Sequence, residues 1–106
     1  MPLRLALFGP PTVHFDGQVH PLPPERRHQL VALLVLKRAW VGRAELAALL
    51  WPRQTTALAY ANLRKTLFRL QALPWAAALQ QSGNALRFDA DCDVQAFEAA
   101  LRAGRP

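Results

Sequence analysis

The sequence predicts an α+β fold, and three observations lead to it. Short period-two apolar stretches cluster in the first 22 residues, helical-period stretches fill the middle, and a second pair of short strands brackets Gly83-Asn84. The chain has 106 residues, enough for one core and too few for two. A hydrophobic fraction of 52% excludes a disordered tail. The longest apolar run, LVALLVL at 30–36, falls far short of the ~20 residues that a membrane span requires. The N-terminus MPLRLALFGPP lacks a signal peptide's hydrophobic region and cleavage site. The single cysteine, Cys92, cannot form an internal disulfide or a metal site alone. A cytoplasmic protein with no membrane contact is expected.

LRLALF at 3–8 alternates as a strand with Leu3, Leu5 and Leu7 inward, and Gly9-Pro10-Pro11 breaks it. Thr12–Phe15 and Gln18–Leu22 read as a hairpin about the turn Asp16-Gly17, completing a three-stranded antiparallel sheet. Pro24 suits the opening of a helix over 25–38, where its missing N–H costs nothing. Leu30, Val31, Leu33, Leu34, Val35 and Leu36 cover most of that helix's circumference, which marks it as the central buried helix. Arg26, Arg27 and His28 make one end polar, and Lys37 and Arg38 suit the negative end of its dipole. Trp40–Gly42 reads as extended or turn. Arg43–Trp51 reads as a short helix with Leu46, Leu49 and Leu50 inward, stopped by Pro52. The polar loop 52–56 leads into a long helix over 55–73, capped by Thr55 or Thr56 and closed by Pro74. Leu79–Ser82 and Ala85–Phe88 form the terminal hairpin, and a further amphipathic helix begins near Asp93 as its N-cap. Residues 1–91 are therefore expected to be the folded domain, and 92–106 the start of a following helical segment or linker.

The stretch 55–73 has two faces. At 100° per residue, Ala59, Leu63, Leu67 and Leu70 fall together with Tyr60 beside them, while Ala61, Arg64, Lys65, Phe68 and Ala72 fall opposite with Arg69 at the edge. One face requires a core and the other surrounds an aromatic ring with cations. A solvated amphipathic helix and a helix that enters a DNA groove both fit that pattern.

Charge bears on the choice. The chain carries +6 overall, but residues 1–88 hold eleven Lys and Arg against three acids, whereas 89–106 hold four acids against two arginines. A polyanionic partner is the simplest physical reading of the basic body. His14, His20 and His28 have no metal-ligand spacing, although His14 and His20 face each other across the predicted hairpin. No nucleophile–base arrangement or glycine-rich phosphate loop is present. Asp89, Asp91 and Asp93 alternate but lack the glycine and later glutamate of a calcium loop. The expectation is a protein that is not an enzyme and needs no cofactor or metal.

Sheet, three helices and terminal hairpin in this order describe a winged helix-turn-helix. LRLALFGPPTVHFDGQVHPLPP, RRHQLVALLVL, GRAELAALLWP, ANLRKTLFRL, GNALRFD and DVQAFEAAL together resemble the OmpR/PhoB-type DNA-binding domain. More narrowly they resemble the N-terminal domain of the Streptomyces antibiotic regulatory protein (SARP) family, in which the last segment leads into a bacterial transcriptional activation domain. The resemblance implies double-stranded DNA as partner. It implies phosphate contacts from Arg43 and from the Trp51 indole, DNA-facing positions at Arg64, Lys65, Phe68 and Arg69, and minor-groove entry by Arg87. It further implies a contact with RNA polymerase through loop 52–56, and dimeric or tandem binding on DNA. The chain departs from the family at Gln71 and Ala72, where further basic residues are usual, and at Phe68, where a polar or basic side chain is common.

In this reading Arg64 and Arg69 bond guanine edges in the major groove and Lys65 holds phosphate. Phe68 lies against a thymine methyl, or alternatively packs on the hairpin or a dimer partner. A protein-interaction module on the same scaffold, without specific DNA binding, is the alternative function.

Overall fold

The computed structural model describes residues 3–94, and within them the chain is α+β, with three helices and two small sheets. This arrangement is compatible with a winged helix. Strands β1 (Arg4–Ala6), β2 (Thr12–Phe15) and β3 (Gln18–Pro21) form the antiparallel meander read from the sequence. Asp16 and Gly17 both take positive φ, 54° and 77°, as a type I′ hairpin turn requires. The sheet nevertheless has four strands rather than three. A further strand near the end of the described chain, β7 (Asp91–Cys92), pairs in parallel with the outer edge of β1, giving the order β3-β2-β1-β7. It spans the expected 91/92 boundary, and Cys92 is part of the core.

The register also corrects the histidine pair. His14 pairs with Val19, and His20 with Val13, so the two imidazoles point to opposite faces of the sheet rather than at each other. The Asp93 carboxylate, expected as the cap of the following helix, turns to the first strand. Its Oδ1 and Oδ2 accept the backbone N–H groups of Leu7 and Phe8 at 2.8 and 3.1 Å, closing the edge where β1 ends. Burial pushes its carboxyl up, but the Leu7, Phe8 and Val94 N–H groups and the Cys92 thiol together outweigh that and hold it below the ordinary value of 3.8. The remainder of the helix expected after Asp93 lies outside the described residues.

Helix α1 (Arg26–Lys37) starts one residue later than expected, with Glu25 as N-cap, and ends in a left-handed Arg38 whose N–H bonds Leu34 O at 3.2 Å. Leu30, Val31, Leu34 and Val35 are fully buried, but Leu36 is exposed, so the helix is solvated on one side. His28 departs from its expected place at a polar end, being buried against Trp75 with ring centroids 6.1 Å apart. Its Nδ1 lies 3.1 Å from Glu25 Oε1 but is poorly aligned for a hydrogen bond. Burial and the adjacent Arg27 guanidinium hold the His28 pKa below its ordinary 6.5, and Glu25 offsets only part of this.

A depressed histidine pKa means that the unfolded chain binds the proton first. Stability is therefore complete above pH 6.5 and declines as the pH falls from 6.5 toward the lower folded value. Urea unfolding at pH 7.5 and 5.5 should show that loss, and His28→Leu should remove its share of the slope.

After α1, β4 (Val41–Gly42) leads directly into α2 (Arg43–Leu50). Leu46 and Ala47 are buried, but Leu49 is 50% exposed instead of inward. In a helix of only two turns, Leu46 and Ala47 already occupy the face that meets α1 and α3. Lys37 Nζ and Glu45 Oε2, 3.1 Å apart, pin the end of α1 to the start of α2. Residues 51–55 then turn the chain into α3 (Thr56–Leu70), which is four residues shorter than read from sequence. It ends in the turns at Gln71–Leu73 before Pro74 is reached.

Thr55 is the N-cap, its Oγ1 accepting Leu58 N–H at 3.3 Å. Thr55→Ala should cost about 1 kcal/mol in denaturant unfolding. Ala59, Leu63, Leu67 and Leu70 are buried as the periodicity requires. Thr66 joins them, its hydroxyl bonded to Asn62 O at 2.8 Å.

The second sheet is built on β5 (Leu79–Ser82) and β6 (Ala85–Phe88), paired as read, with Gly83 at φ 57° in the turn. β4 adds a third strand beside β6, pairing Val41 with Leu86. Trp75 has no counterpart in the sequence reading, yet it is the largest fully buried side chain. It meets Phe88 edge-on, with ring centroids 6.0 Å apart. No helix among the described residues is long and apolar enough to cross a membrane.

Candidate nucleic-acid interface

The buried stripe of α3 fixes what its opposite side presents. With Ala59, Leu63, Thr66, Leu67 and Leu70 inward, Arg64, Lys65, Phe68 and Arg69 all stand in solvent, as the helical period requires. No ion pair among the described residues neutralises Arg64, Lys65 or Arg69; the acids Glu25 and Glu45 pair with Arg27, His28 and Lys37. Phe68 is 75% exposed, so within this chain it does not pack on the β5–β6 hairpin.

The N-terminal half of α3 is braced by the preceding loop. Asn62 Nδ2 donates to Gln54 Oε1 at 2.6 Å, and Gln54 N–H reaches Trp51 O at 3.3 Å. Trp51 is half-buried against the core, and its indole N–H has no hydrogen-bond partner among the described residues. That ring is thus a packing residue whose indole donor is unused within the described residues.

Arg43 is tied to the hairpin. Its Nη2 donates to Gln81 Oε1 at 2.8 Å, and its backbone N–H donates to Asn84 O at 2.9 Å. The side chain is half-exposed and leaves donors available, so it joins the start of α2 to β5 while presenting charge beside them. Arg87 is exposed on β6 opposite Gln80 of β5, between the buried Leu86 and Phe88. Neither Arg43 nor Arg87 is linked to the α3 cations by a hydrogen bond among the described residues. Arg64, Lys65, Phe68 and Arg69 thus form one continuous face, with Arg43 on α2 and Arg87 on β6.

One part of this surface was not legible in the sequence. Arg27 Nη1 donates to the carbonyl of Arg69 at 3.1 Å, satisfying a terminal acceptor of α3. Glu25, Arg26, Arg27, Thr66 and Arg69 line a shared cleft there. Arginines at the start of α1 thereby extend the positive surface of α3. Only the α1–α3 packing brings them together, and no spacing in the sequence signals it. Among the described residues no cluster of three or more His, Cys, Asp or Glu has the arrangement to hold a metal ion.

Comparison with known families and proteins gives no match, either to a protein-family model or to a curated protein.

Proposed function

We propose that this chain is a sequence-specific double-stranded DNA-binding domain of a bacterial transcriptional regulator, of the SARP or OmpR/PhoB type that its sequence resembles. The observation that carries the reading is the α3 face: three cations without a carboxylate partner among the described residues surround an exposed aromatic ring, on a helix whose other side is locked in the core. In this mechanism α3 lies in the major groove, where Arg64 and Arg69 bond base edges. Lys65, Arg43 and the Trp51 indole hold phosphates, and Arg87 approaches the minor groove. Arg26 and Arg27 add positive charge on the flank of α3. A protein contact can share the scaffold, because Trp40 and Leu49 are 45% and 50% exposed and loop 52–56 is exposed almost throughout.

The test is a salt titration of binding to duplex DNA. The plot of log affinity against log salt should fall with a slope of about −0.9 per phosphate neutralised. Four to six contacts correspond to a slope of about −4 to −5. Affinity that does not respond to salt, or failure to retard any duplex at low salt, would leave the protein-interaction module as the function.

A further inference from the structure

We infer that the outward ridge of α3 reads thymine 5-methyl groups, so that its preferred duplex presents methyls along the major-groove floor and takes hydrogen bonds only at the margins. The inference rests on the DNA-binding reading above and specifies the chemistry of the site that is read.

The ridge is defined by what the core leaves outside. Opposite the buried stripe, at 100° per residue, Ala61 and Phe68 fall nearest the centre of the outward face, within about 20° of one another. Ala57 and Arg64 lie to one side of that line, and Lys65 and Arg69 to the other. The line itself therefore carries no side chain able to hydrogen-bond, while cations stand on both sides of it. That distribution complements a groove bordered by two phosphate strands. Arg64 and Arg69 beside the line reach the base edges assigned to them above, whereas the line itself offers a polar base edge no hydrogen bond.

Phe68, 75% exposed, is the most solvent-accessible large apolar residue of the described chain. On the edges of the bases in the major groove, the thymine methyl is the one apolar group available. Against any other base edge the ridge would displace water from donors and acceptors and return no hydrogen bond. The same face that is indifferent to most sequences in solution is thus selective once seated. Methyl side chains at 57 and 61 also allow the helix backbone to approach the floor closely. From Ala61 to Phe68 the helix rises about 10 Å, which is about three base-pair steps. Thymines are expected at that separation.

The experiment uses the duplex bound most tightly after selection from a random pool. It is resynthesised with deoxyuridine in place of every thymidine, which deletes the methyls and keeps phosphate charge and hydrogen-bonding edges. Each lost methyl contact should weaken binding about fourfold, giving a total of about tenfold or more. Phe68→Ala should bring the ratio of the two affinities toward one. Equal binding of the two duplexes, or selection of a site without thymines, overturns the inference while the DNA reading stands. If no duplex is selected or bound, both fail together, and Phe68 is then a protein-contact residue.

Discussion

Trp75→Ala is expected to lower the unfolding free energy by about 3–5 kcal/mol, the largest stability loss of any single truncation proposed here. Domains of this kind have only about 5–15 kcal/mol in total. The indole fills the space between His28 of α1 and Phe88 of β6, joining the helical layer to the hairpin sheet. Deleting it leaves a cavity that neither neighbour can fill without moving its own element. Trp75→Phe should recover a substantial part of the loss, because a six-membered ring can still meet Phe88 edge-on. Urea unfolding followed by circular dichroism measures both variants. A loss below about 1 kcal/mol for the alanine variant would mean that Trp75 does not join the two layers.

Arg69→Ala should have the largest effect on function with the least effect on the fold. Its side chain is exposed, and the bond that its residue makes to Arg27 uses the backbone carbonyl, which alanine retains. Stability should therefore change by no more than about 0.5 kcal/mol. On the proposed function, the guanidinium forms a bidentate pair with a guanine edge, and its loss should remove about 1–3 kcal/mol of discrimination at one base pair. Competition binding against single-base-pair variants of a selected duplex reads this directly. Preference should relax at one position and persist at the others. A uniform decrease across all variants would reassign Arg69 to a phosphate. Arg43→Ala is the natural contrast, since a phosphate contact predicts that uniform decrease.

The parts of the fold that were legible in the sequence are those whose causes are local. The β5–β6 hairpin was read residue for residue because Gly83-Asn84 marks its turn, where Gly83 supplies the positive φ, and Leu86 and Phe88 alternate with polar neighbours. The exposed face of α3 was legible because helical period alone separates Arg64, Lys65, Phe68 and Arg69 from the leucines. β4 and β7 were not, since each is two residues long and becomes a strand only through a distant partner. Leu49 and Leu36 show the opposite limit: apolar residues on short or crowded helices need not all find a core. Trp75 stands between Pro74 and a run of alanines, where no periodicity marks an inward side. The Arg26–Arg27 extension of the basic surface depends on α1 meeting the end of α3, a tertiary fact without a sequence signature.

The pairing of β7 with β1 also sets an order of events during synthesis. Leu7 N–H finds its acceptor on Asp93, 86 residues later in the chain. As the chain emerges from the ribosome, β1 has β2 on one edge and nothing on the other until residues 91–93 have cleared the exit. For most of that interval the first strand is an open template for a foreign strand. Residues 91–93 therefore seal a strand made 86 residues earlier, and until they do so that strand edge stays available for self-association.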